Sequence, residues 1–146
     1  MITAELEAAY RSTHYVVDAG AGPGEGALFD PIVLEIDVAS PALLALHRRR
    51  GVDCSCFITA CNPFSRPLDA HSNQLRQEDL AAELRHRSLA YLSGEGRHPS
   101  NGWPAEPSFL VLGLALEAAK SLGRRHEQNA IVWSGPDAVP QLVVLD

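Results

Sequence analysis

The stretch FITACNPFSRPLDAHSNQLR, residues 57–76, sets small polar side chains where an apolar run ends. Thr59, Asn62 and Ser65 leave that run, and Asn73 and Arg76 follow as a helix opens. Hydroxyls, amides and a guanidinium at the C-terminal edge of a strand, beside a helix N-terminus, can hold an anionic or amide-bearing small molecule. Asparagine before proline also closes turns on itself, and Asn73 can equally be a helix cap. Further on, WPAEP places Glu106 three residues after Trp103 in a proline-stiffened loop. A carboxyl beside an indole has its pKa raised and can act as a general base, so Glu106 is the catalytic candidate. The same carboxylate can instead tie the structure to Arg76 or Arg124. Trp103 would close the site as a lid or a packed cover. Gln128 and Asn129 precede an apolar strand, where amides either meet a ligand or cap the preceding helix.

Cys54, Cys56 and Cys61, with His47 and His71 nearby, could supply three or four zinc ligands. Yet Cys54 and Cys56 alternate on a strand with Ile58 and Ala60, as small buried hydrophobes do. No metal site is expected. A Cys61–His71 nucleophile pair oriented by Asp69 is chemically possible, but nothing in the sequence lowers the thiol's pKa.

The N-terminal VVDAGAGPGEGA, residues 16–27, imitates the opening of a methyltransferase that uses S-adenosylmethionine. Gly20, Gly22 and Gly24 would let the backbone approach a cofactor, with Glu35 or Asp37 on its ribose. ITACNPF adds a likeness to a motif that holds a target amino group, without its second proline. A nucleotide-binding βαβ unit, however, needs a crossover of at least about ten residues. Only ALFDP separates Gly26 from Ile32. The ladder therefore reads as a hairpin connection, and no cofactor is expected.

The elements that must position these residues are well punctuated. Residues 2–11 are helix-permissive, and YVVD and IVLEIDV read as strands. Ser40, Pro41 and Gly51 bracket a helix as cap, first residue and terminator. CSCFITAC is a short apolar strand, and residues 74–87 form a helix with Leu80, Ala81 and Leu84 on one face. AYLSG is a short strand, EGRHPSNGWPAEP a loop, and SFLVLGL a buried strand. EAAKSLGRR, NAIVWSG and QLVVLD read as helix, strand and strand. From residue 32 the order is β-α-β-α-β-β-α-β-β, which predicts an α+β fold. A mixed or mainly antiparallel sheet would carry about three helices in a single compact domain spanning residues 1–146.

At 146 residues the chain can bury a core without metal or disulfide staples. Three cysteines, an odd number, argue against a disulfide framework. With 46% hydrophobic and 21% charged residues, the composition is that of a soluble globular protein. No apolar run reaches the roughly 18 residues of a membrane span, and the N-terminus lacks a secretory pattern, so the expected location is cytoplasmic without membrane association. The net charge of −6 argues against a nucleic-acid partner on electrostatic grounds. The one basic run, HRRRG at 47–51, suits the negative end of a helix.

Several ordered motifs together resemble a known family. ITA-x-NP-x-S, a following Asn, W-x-x-E-x-SFL and LGR-x(3)-QNAI are similar to the bacterial family catalogued as domain of unknown function 3293. The likeness extends from Tyr10-x-x-Thr13-x-Tyr15 to the last strand. Cys61, His126 and Glu127 depart from the family pattern. The resemblance brings no activity with it. It implies that Thr59, Asn62, Ser65, Asn73, Trp103, Glu106 and Gln128 occupy motif positions. The leading expectation is a pocket near Asn62 that takes a small polar or anionic metabolite or nucleotide. An enzyme using Glu106 for proton transfer is the rival class, with a methyltransferase as its named form. A partner-binding module with no small-molecule site is the third. Oligomeric state is not legible.

Overall fold

The computed structural model describes residues 2–18, 30–100 and 102–145. Helix α1 (Ala4–Ser12) leads into β1 (His14–Val17) and β2 (Ile32–Leu34). Then come α2 (Pro41–Arg50), β3 (Ser55–Ile58), a 3-10 turn at Pro63–Ser65 and α3 (Ala70–His86). The chain closes with β4 (Tyr91–Arg97), β5 (Glu106–Leu112), α4 (Leu116–Arg125), β6 (Ala130–Ser134) and β7 (Gln141–Val144). Among the described residues, seven strands form one sheet in the order β2-β1-β4-β5-β3-β6-β7. Every neighbouring pair is antiparallel. The fold is α+β, with four α-helices among the described residues and the element order predicted from β2 onward.

Local chemistry explains most boundaries. Ser40 Oγ accepts from the Leu43 N–H at 3.1 Å, Pro41 opens α2, and Gly51 ends it in the left-handed region at φ 67°. Asp69, rather than Asn73, caps α3 by accepting from the Ser72 N–H. The helix therefore begins four residues earlier than its hydrophobic pattern suggests. Strand β2 stops at Leu34 because Asp37 turns at φ 66° and donates its N–H to the Pro140 carbonyl at 2.8 Å. Conversely, residues 95–97, expected as loop, continue β4 and pair with β1.

The core has two layers, one on each face of the sheet. Leu43 and Leu46 of α2 pack with Leu34, Phe57 and Leu110 on one face. Leu80 and Leu84 of α3 and Leu122 of α4 cover Cys56, Ile58 and Val111 on the other. Each fully buried leucine contributes about 1.5–3 kcal/mol of transfer free energy. Helix α1 has no buried residue; its Tyr10 carbonyl accepts from Tyr15 Oη at 2.6 Å, and Arg11 pairs with Asp37 at 2.9 Å.

Strands β1 and β2 are direct antiparallel neighbours, with Val17 opposite Ile32. An antiparallel pairing is what the short spacing predicts, and it is incompatible with a parallel pairing of β1 and β2. Gly20, Gly22 and Gly24 lie outside the described residues. Among the described residues, no helix is long and apolar enough to cross a membrane.

Candidate functional site

Strand β3 ends at Ile58, opposite Phe109, while β5 extends further back to Glu106. That stagger leaves Glu106, Pro107 and Ser108 flanked by β4 on one side and by the chain that leaves β3 on the other. The departing chain then turns sharply. Asn62, Phe64 and Ser65 all adopt positive φ, at 50°, 51° and 61°. Three left-handed non-glycine residues among four positions cost of order 1–3 kcal/mol each, so the surroundings must hold them.

Asn62 is the centre of that restraint. Its Oδ1 accepts from the Leu68 N–H at 3.0 Å and from Asn73 Nδ2 at 2.8 Å. Its own N–H donates to Asn73 Oδ1 at 2.8 Å, and its Nδ2 donates to Glu106 Oε2 at 2.8 Å. Ser65 accepts from Asn129 Nδ2 at 2.9 Å and shares a 3.0 Å hydrogen bond with Tyr10 Oη. Thr59 Oγ1 donates to the Pro107 carbonyl at 2.7 Å and accepts from the Cys61 N–H. Gln128, almost fully buried, donates from Nε2 to the carbonyls of Cys61 and His126, both at 3.1 Å.

Apart from Asn129, these side chains share a cavity of about 1050 Å³ at the end of β3. Thr59, Asn62, Ser65, Asn73, Trp103, Glu106 and Gln128 all contribute to its lining. Arg76 is the exception. Its Nε donates to the Ala60 carbonyl at 2.6 Å, and Nη2 donates to the His126 carbonyl at 2.8 Å. Its remaining nitrogen, Nη1, faces Glu127 at 3.4 Å. The guanidinium thus braces the loop before β6 against the end of β3, and it is outside the lining.

Glu106 is tied to neither Arg76 nor Arg124; among the described residues Asn62 is its hydrogen-bond donor. Burial pushes its carboxyl above the ordinary value of 4.5, and the Asn62 bond pulls part of the way back. Desolvation likewise raises Tyr10, Tyr15 and Cys61, and each also feels the Glu106 charge in the same direction. Tyr15, Gly96 and Glu106 stand in register across β1, β4 and β5, hence on one sheet face. The Tyr15 ring meets Phe57 edge-on at 5.2 Å. At Gly94, one pleat along, an added Cβ would lie 2.4 Å from the Val16 carbonyl oxygen and 3.1 Å from Phe57. Only glycine fits there.

Sequence reasoning missed Tyr10, Tyr15 and Gln77 as lining residues. The tyrosines lie far from residue 62 in the chain and were visible only as part of a spaced motif. Gln77 looks like a solvated helix position, yet its Oε1 accepts from the Ala60 N–H at 3.0 Å, and its buried Nε2 has no partner among the described residues. The cysteines are free: Cys56 sits in the core with Ile58 and Ala60, as strand alternation predicts. Among the described residues, no cluster of three or more His, Cys, Asp or Glu side chains is placed to hold a metal ion.

The family model described as "Protein of unknown function (DUF3293)" matches residues 58–131, half of the chain. The chain belongs to this family. The DUF3293 match begins at the last residue of β3 and ends inside β6, narrower than the likeness from Tyr10 to the last strand. It contains all of the sequence-predicted site residues, whereas Tyr10 and Tyr15 enter the cavity from outside it. No curated protein and no solved structure matches the chain.

Proposed function

We propose that the cavity at the end of β3 binds a small organic molecule, with Glu106 as the polar group that selects it. The observation that carries this reading is a carboxyl in a largely apolar cavity, held by one amide and with no counter-cation among the described residues. A group whose burial disfavours its charge is an expensive structural tie, and such groups concentrate at functional sites. Left-handed backbone at Asn62, Phe64 and Ser65 points the same way, because strain of that kind persists where geometry matters more than stability.

An anionic ligand, favoured in the sequence through Arg76, has less support, since that guanidinium is committed to backbone carbonyls. A neutral or donor-bearing ligand with an apolar body suits walls formed by Tyr15, Phe57, Trp103 and Leu142. Proton transfer by Glu106 is the second reading, supported by its raised pKa beside two tyrosine hydroxyls.

Ligand-observed NMR with a library of cationic, neutral and anionic fragments tests the proposal. Fragments should bind the wild type and change rank order in the Glu106→Gln variant. A library that yields no binder at millimolar concentration would sink it.

A further inference from the structure

The charge class of the ligand follows from which side chains line the cavity and which do not. Five aromatic residues (Tyr10, Tyr15, Phe57, Trp103 and Phe109) contribute to the wall, together with the carboxyl groups of Glu78 and Glu106. Among the described lining residues there is no lysine or arginine. Four arginines adjoin lining residues in the chain, and none belongs to the lining: Arg11 pairs with Asp37, and Arg66 is exposed. Arg76 holds backbone carbonyls, and Arg97 pairs with Glu95. Among the described lining residues His98 is the basic side chain, and its Nδ1 accepts from the Ser100 N–H at 3.2 Å. Glu106 has one oxygen, Oε2, bound to Asn62; among the described residues Oε1 has no donor.

We infer that the cavity takes an organic cation, a small ammonium compound with an aromatic or alkyl body, its charged nitrogen placed at Glu106 Oε1. This deepens, and rests on, the small-molecule reading above. Ring faces attract a cation through their quadrupole, most strongly where water is excluded. A carboxylate adds a charge-assisted hydrogen bond that an alcohol cannot match and that an anion cannot make at all. Asn62 donates to Oε2 and so fixes the carboxyl plane while leaving the second oxygen for the ligand. Phosphates and carboxylic acids would meet the Glu106 carboxyl and, among the described lining residues, no lysine or arginine. The charge asymmetry of the wall therefore selects by sign before it selects by shape.

Three probes of similar size separate the classes: 2-phenylethylammonium, 2-phenylethanol and 3-phenylpropanoate. Each is titrated into the full chain at neutral pH while the two indole N–H resonances are followed, Trp103 being assigned through Trp103→Ala. The ammonium compound is expected to shift the Trp103 signal and to bind about tenfold more tightly than the alcohol. Glu106→Gln should erase that preference. Because Trp103 is exposed, Trp103→Ala should fold normally and weaken the ammonium probe several-fold. If the alcohol or the propanoate shifts Trp103 at equal or lower concentration, the cation assignment is overturned and the small-molecule reading stands. If none of the three perturbs Trp103, both fall.

Discussion

Asn62 Nδ2 donates a 2.8 Å hydrogen bond to Glu106 across 44 residues of chain. It joins a strained turn to a carboxyl that burial drives toward its neutral form. One amide thus restrains the loop and orients the acid, and the two roles can be separated by mutation.

Glu106→Gln keeps an oxygen acceptor for Asn62 and removes the charge. The wild-type carboxyl has its folded-state pKa raised above 4.5, so the proton is held more tightly in the fold. The stabilisation from that proton is complete below the unfolded value and lost as pH rises through the folded one. At neutral pH the ionised side chain therefore opposes folding, and the glutamine variant should be more stable by about 0.5–2 kcal/mol. The advantage should disappear below about pH 4, where the wild-type group is protonated in both states. Thermal unfolding across that pH range checks the sign. A variant less stable than wild type at pH 7 would mean that the carboxylate is a structural tie.

At Asn62 the backbone and side-chain contributions can be resolved by two substitutions. Alanine loses the amide bonds to Leu68, Asn73 and Glu106 and retains a Cβ at φ 50°. Glycine loses the same bonds without the left-handed penalty, which is about 1–2 kcal/mol. Both should destabilise by roughly 2–4 kcal/mol in urea unfolding, because the partners of the lost amide are left unsatisfied. Glycine should be the milder. Equal losses would show that the turn relaxes out of the left-handed region when the amide is removed.

Arg76 shows where sequence reasoning reached its limit. The order of elements was legible because each carries its own punctuation: Ser40, Pro41 and Gly51 around α2, and alternation through Cys56 and Ile58 in β3. The residues near Asn62 were legible because a strand end followed by a helix start is a local event. Whether Arg76 turns toward the cavity or toward Ala60 depends on where the loop before β6 lies, 50 residues away, and no local pattern records that. Tyr15 is hidden for the same reason. It reaches Glu106 only through the register of β1 on β4 and of β4 on β5. Gly96 reads as part of a loop, whereas it pairs with Tyr15 inside β4, two residues after Gly94, which has no room for a Cβ.

Arg76→Lys is accordingly expected to behave as a stability mutation. A lysine ammonium cannot present two donors in the planar spacing that meets the Ala60 and His126 carbonyls together. Loss of one charged hydrogen bond to a backbone carbonyl costs about 1.5–3 kcal/mol. The midpoint of urea unfolding should fall accordingly, while the affinity of an ammonium probe for the folded variant stays within about twofold of wild type. A large loss of affinity without loss of stability would return the guanidinium to the site.

The three thiols give a check on the two-layer core. Cys54, Cys56 and Cys61 are all buried, and desolvation raises each above the ordinary thiol value, so little thiolate exists at pH 8. Cys61 is the informative member, because it lies at the cavity yet its Sγ faces the Pro107 carbonyl at 3.7 Å. Labelling with a disulfide reagent in native buffer should therefore be slow for all three and should accelerate together with denaturant, as global opening becomes the route of access. Fast modification confined to Cys61 would mean that the Thr59–Asn62 segment opens on its own. In that event the cavity would be a dynamic cleft, and the Asn62–Glu106 bond would be too weak to hold the carboxyl in place for a ligand.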